Sequence, residues 1–320
     1  MSKKIFNFEI DKEACFWYWI QSLLKWSWYV EEGEFLFYKN SLKNISFKKK
    51  RILSEFREVL QQENNGFFWL WNRYSHKPTH PQEQRFCSVI KNAFEDEFDA
   101  FWKNEVVLLE EWKKRLERFN FDVLDNFYNK TSTFIERAPK QEKLITVKLL
   151  TYGNENFPAG HSHKNFDDVI LLNISHLNNT FIERVIGVLA HEHIHILTTL
   201  YPTLESLLRK SYQTIFAPLS IKTNGPSWRH LFLETVITSI AGKRNENYLN
   251  YLWKKEVSNP FNEKAYIKKD EVNYGFQIRI ASYKSLAMTI NYLDSEKIVD
   301  QSYCDEIAKI WIDIESKKID

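Results

Sequence analysis

The sequence predicts an α+β chain that is predominantly helical, and three observations carry that prediction. Apolar residues recur at helical spacing through most of 11–130, the pattern changes to short β-branched runs between 144 and 175, and only 8 Gly and 8 Pro punctuate 320 residues. At 43% hydrophobic and 27% charged residues, a chain of this length can bury a sizeable core without disulfide staples.

Taken in order, Phe16, Trp17, Trp19, Ile20, Leu23 and Leu24 mark a first helix, and Ile52, Leu53, Phe56, Val59 and Leu60 a second. The short basic cluster Lys48 to Arg51 reads as the solvated start of that second helix. Ser75 to Pro81 is a turn. Phe86, Val89, Ile90, Phe94, Phe98, Phe101 and Trp102, continuing through Leu109, Trp112 and Leu116, then give one long helix or a broken pair. An aromatic stripe at this spacing is expected to be core rather than a ligand-stacking surface.

Leu144–Tyr152 and Val169–Ser175 read as strands joined by a loop that contains Pro158, Gly160, His161 and His163. A boundary is placed near residue 140, at Ala138-Pro139-Lys140. This gives a helical N-terminal region over 1–140 and a second domain over 141–320. The two parts could equally pack as one body.

Charge excludes some partners. The 44 basic and 42 acidic residues nearly cancel, and they do so on both sides of the boundary, with 23 against 21 in residues 1–140 and 21 against 21 beyond. A nucleic-acid binder needs a phosphate-neutralising surplus, so none is expected. Cys15, Cys87 and Cys304 lack metal or disulfide spacing and read as core residues of a reducing compartment. The N-terminus to Glu9 has no apolar signal core and no uncharged run is long enough to cross a bilayer. A soluble cytoplasmic protein without a membrane partner is therefore expected, although secretion by a signal-less route fits as well.

The chemistry is concentrated in 181–200. His191-Glu192-His193-Ile194-His195 contains H-E-x-x-H and also spells H-x-H-x-H; the first needs a helix, the second a strand. The flanks decide for the helix. Thr180 and Glu183 form a capping box, the apolar set Ile182, Ile186, Leu189, Ile196, Leu197 and Leu200 keeps a helical period, and Pro202 closes a segment too long for a strand. On a helix His191 and His195 share one face, Glu192 sits about 100° round, and His193 points to the opposite side. Two imidazoles one turn apart can bind one zinc ion, with the glutamate beside them near enough to take a proton from its water.

With these residues in place, the segment over about 145–242 resembles the zincin metallopeptidases, in which the H-E-x-x-H helix follows a twisted sheet. The metzincin extension is absent, since Tyr201 stands where its third histidine would fall. A second helix is read over Trp228–Ala241, after a turn and N-cap at Asn224 to Ser227 and before Gly242-Lys243-Arg244. His230 and Glu234 lie one turn apart on it.

The glutamate-type zincins, the gluzincins, take their third ligand as a carboxylate from such a helix, and the resemblance assigns that place to Glu234. His230 remains an alternative ligand or a transition-state donor. The acid often found four residues after the ligand glutamate is Thr238 here, so the group that orients the first histidine is unassigned.

The expected function is therefore a zinc-dependent peptidase with one Zn2+ and a peptide or protein substrate. His191, His195 and Glu234 are the ligands and Glu192 is the general base. Tyr266, Tyr274 and His230 are candidate oxyanion donors, though each reads as readily as an ordinary structural residue. Arg279 could bind a substrate carboxylate, but between two isoleucines it suits the solvated face of a strand equally well. By the same resemblance Val169–Ser175 takes the place of the edge strand that holds substrate, while its apolar run also fits an interior strand. His161 and His163, with Asp167 and Asp168 nearby, could form a second metal site but read more naturally as exposed polar residues. The competing classes are a helical interaction module with a structural or accidental H-E-x-x-H, and a zinc hydrolase acting on a non-peptide amide.

Overall fold

The computed structural model describes residues 5–24, 46–62, 81–136, 144–151, 158–163, 166–177, 182–219, 227–242, 247–254 and 274–316. They form a predominantly helical α+β structure around one four-stranded mixed sheet. Strand β1 (Phe6–Ile10) leads into α1 (Lys12–Leu23), followed by α2 (Phe47–Gln62), α3 (Pro81–Arg118), a 3-10 turn at Phe121–Leu124 and α4 (Asp125–Glu136). Then come β2 (Ile145–Leu150), β3 (Ala159–His163) and β4 (Phe166–Asn173). Helices α5 (Ile182–Leu200), α6 (Thr203–Ser211), α7 (Trp228–Ile240), α8 (Tyr248–Lys254), α9 (Tyr274–Asp294) and α10 (Gln301–Ser316) complete the order. Among the described residues no helix is long and apolar enough to cross a membrane.

The N-terminal helices are packed as their periodicity requires. Asp11 caps α1 by accepting from the backbone N–H groups of Glu13 and Ala14, and every residue from Ala14 to Ser22 is buried. Phe16 and Trp19 meet Phe98 of α3 at ring-centroid distances of 5.2 and 5.6 Å, so the aromatic stripe is core. The long apolar pattern is one continuous helix of 38 residues. Cys15, Cys87 and Cys304 are buried free thiols. The turn at 75–80 and the capping Thr180 lie outside the described residues.

The sheet departs from expectation in two ways. Its order is β1-β2-β4-β3, with β1, β2 and β4 parallel and β3 antiparallel to β4. Phe6 and Phe8 alternate with Asn7 and Glu9 over only five residues, a pattern too short to announce a strand, yet β1 pairs with β2 from Phe6↔Ile145 to Ile10↔Leu149. The sheet therefore draws on both sides of residue 140. The segment read as the edge strand is interior, because β4 pairs with β2 on one side and β3 on the other, which its apolar run suits. Among the described residues the edges are β1 and β3, the latter being the stretch read as a loop.

One further reading is extended and one is overturned. Pro202 ends α5 but serves as the N-cap position of α6, so the chain turns directly into another helix. Arg279 is not on a strand: it lies within α9, a single helix in which Ile278, Ile280 and Ala281 are all buried.

Polar contacts between elements hold the platform. Glu105 of α3, 3% exposed, accepts from Ser175 Oγ at 2.7 Å through one oxygen and meets His176 Nε2 at 2.7 Å through the other, pinning the turn after β4 to the long helix. Helix α7 is fixed by Trp311 Nε1 donating to Thr235 Oγ1 at 3.0 Å and Ser282 Oγ donating to the Thr235 carbonyl at 3.0 Å. A buried Ser239–Thr289–Tyr303 hydroxyl chain, at 3.0 and 2.8 Å, joins the same three helices.

His193 is buried on the inner side of α5, with its ring 4.8 Å from Tyr128 and 5.8 Å from Phe6. Burial holds its pKa down to about 4, against 6.5 when solvated. The imidazole is neutral in the fold and charges more readily in the unfolded chain. Its contribution to stability is therefore intact above pH 6.5 and is lost as pH falls towards 4, at roughly 1.4 kcal/mol per unit. His193→Leu should lose about 2 kcal/mol less than the native chain between pH 7 and pH 5, measured by chemical denaturation at both values.

Candidate metal centre

Helix α5 places His191 and His195 on one face because they are one turn apart, and both project their Nε2 atoms toward α7. Glu234 comes from that helix, whose start is set by Ser227 accepting from the His230 N–H at 3.4 Å. The three side chains converge. His191 Nε2 and His195 Nε2 are 3.2 Å apart, His195 Nε2 is 2.9 Å from Glu234 Oε1, and His191 Nε2 is 3.4 Å from Glu234 Oε2. Two nitrogens bound to one tetrahedral zinc at its usual bond lengths would stand about 3.3 Å apart, so the spacing fits a shared ion.

Among the described residues this is the only group of three His, Cys, Asp or Glu side chains close enough to hold a metal ion, with all ligand atoms within 4.8 Å of one another. Their side chains are 17%, 22% and 18% exposed, so the site opens to solvent and is not a dry core. Two imidazoles and one carboxylate are the donor set of catalytic zinc sites, and three protein ligands leave a fourth position for substrate or water.

The charges are mutually supporting. Burial disfavours the His191 imidazolium, but the hydrogen bond and charge of Glu234, aided by Glu192 and the Ala241 carbonyl, outweigh it and raise the pKa to about 9. Burial likewise opposes the Glu234 carboxylate, and His195 and His191 overcome it, holding the group well below the usual carboxylate range.

The partner that orients His191 is a backbone group. Its Nδ1 lies 3.1 Å from the carbonyl oxygen of Ala241, which fixes Nε2 as the ligand atom when Nδ1 carries the proton. Ala241 is the C-cap of α7, in extended conformation, seven residues beyond Glu234.

Glu192 is 8% exposed and lies toward the sheet, where its Oε2 accepts a hydrogen bond from Ser162 Oγ of β3 at 2.7 Å. Gly160, two residues earlier on the same strand face, lets β3 approach. A Cβ there would lie 2.4 Å from Val188 Cγ1 and 2.8 Å from Glu192 Cγ. Period-2 alternation in Gly160-His161-Ser162-His163 is the signal that could have revealed this, had the stretch been read as a strand.

The remaining sequence candidates divide. His230 is 43% exposed, at the rim, with Nδ1 4.0 Å from Glu234 Oε1, and is not one of the converging three. Burial lowers its pKa, as do the charges of His195 and His191, while Glu234 opposes them. His161 lies on β3 opposite Leu171. Tyr266 and the side chains of Tyr274, His163 and Asp167 lie outside the described residues.

No family model, no curated protein and no solved structure matches the chain. What the centre does has to follow from its own geometry.

Proposed function

We propose that the chain is a zinc-dependent metallopeptidase of the gluzincin type. The observation that carries this reading is the convergence of His191 Nε2, His195 Nε2 and a Glu234 oxygen on one point, with a carboxylate outside that set, Glu192, on the neighbouring residue of the same helix. His191, His195 and Glu234 would hold the ion, and the Ala241 carbonyl would keep the His191 ring in its ligating orientation. Zinc, when bound, supplies Lewis acidity toward water and toward a scissile carbonyl.

Glu192 has the complementary task of accepting a proton from the attacking water and returning it to the leaving amine. Its Oε1 serves this while Oε2 is occupied by Ser162. The edge strand β3, beside α5, is the surface on which an extended peptide would lie.

The test is elemental analysis of the purified chain with a peptide-library assay. One zinc per chain, hydrolysis abolished by a chelator and restored by zinc are expected. Bound zinc with no cleavage of any peptide would overturn the peptidase assignment in favour of a binding protein or a hydrolase of another amide.

A further inference from the structure

We infer that Ser162 is the positioning residue for the general base, holding Glu192 in the single orientation from which it can serve the metal centre. The inference rests on the peptidase reading for its catalytic consequence, but its structural half stands by itself. A glutamate has three rotatable side-chain bonds, and a base that must meet a water at a fixed ion cannot wander among their rotamers. Two features of β3 restrict it. The Ser162 hydroxyl donates to Oε2 at 2.7 Å, and the absent side chain of Gly160 leaves space that Val188 and the Glu192 stem fill together, since an added Cβ would be 2.4 Å from Val188 Cγ1 and 2.8 Å from Glu192 Cγ.

Both residues project from the same face of the strand, and the strand is anchored by its pairing with β4, Gly160↔Leu172 and Ser162↔Ile170. The register shifts immediately after Ser162, so the regular part of the strand ends at the residue that makes the contact. A hydroxyl beside an ionised carboxylate is a strong donor, and it leaves the other oxygen for the proton transfer.

The experiment compares Ser162→Ala and Ser162→Thr with the native chain. In Ser162→Ala, kcat should fall about 10- to 100-fold, the scale of a roughly 1 Å misplacement, while KM and the one-to-one zinc stoichiometry stay as they were. Ser162→Thr keeps a hydroxyl and should recover most of the rate. The readout independent of turnover is a crystal structure of metal-free Ser162→Ala, in which the Glu192 carboxylate should leave its present position or occupy several. An unchanged kcat, or a Glu192 carboxylate that stays where it is, overturns the inference. If the native zinc-loaded chain cleaves no peptide, the peptidase reading fails on that result, and the crystal structure alone decides whether Ser162 holds Glu192.

Discussion

Glu192→Gln should leave one zinc per chain in place and lower peptide hydrolysis by at least about 10²-fold, within the range assigned to a positioned general base. The substitution is nearly isosteric and preserves an oxygen that can accept from Ser162 Oγ, so the 2.7 Å contact to β3 and the packing against Gly160 need not change. What is lost is the ability to bind a proton. Because Glu192 is outside the converging triad, metal content should not follow activity. Paired zinc analysis and steady-state kinetics on the same preparation separate the two. Retained activity would show that the proton acceptor is another group and remove Glu192 from the mechanism.

The second large effect is on the metal. Glu234→Ala and His195→Ala should each weaken zinc binding by more than the roughly 10- to 100-fold typical of losing an outer-sphere partner, because each removes one of three donors. Competition against a chromophoric chelator measures the affinity. In the native chain, zinc at about 100 times its dissociation constant should add about 2.7 kcal/mol of stability, and in a variant weakened by about 100-fold or more that gain should fall to about 0.4 kcal/mol or less at the same zinc concentration.

The metal-free chain has a compensating interaction of its own. Glu234 and His191 hold each other charged, one interaction seen from both ends. From the histidine side, its stabilisation is full below pH 6.5 and is lost as pH rises through about 9. From the carboxylate side, it is full above 4.5 and is lost as pH falls through the depressed value. The window of full effect is therefore about 4.5 to 6.5. Zinc must displace the His191 proton anywhere below about pH 9, so affinity should weaken as pH falls.

Some of this was legible from residue order. Whether a segment is helical depends on neighbours three and four positions away, so the aromatic stripe of α3, the Ser227 cap and the His191/His195 spacing could all be read locally. The placement of His193 away from the other two histidines follows from the same 100° step, and the ring is found buried against Tyr128 and Phe6.

Strand order was less accessible. β3 is five residues with a glycine, a serine and two histidines, and its identity as a strand comes from hydrogen bonds to β4 rather than from an apolar run. The position of β4 inside the sheet and the arrival of β1 from the far end of the chain were hidden for the same reason.

By itself, then, the sequence determined the two imidazoles, the adjacent carboxylate and the helix that carries them, because spacing along one helix fixes direction. The tertiary structure brought Glu234, the ligand the resemblance assigns, to the two imidazoles while His230 stays at the rim, and it alone decided that the Ala241 carbonyl lies against His191 Nδ1 and that Ser162 reaches Glu192. Each of those depends on two elements distant in sequence meeting at hydrogen-bond range. A backbone carbonyl, moreover, has no letter in the sequence, and only packing determines where it points.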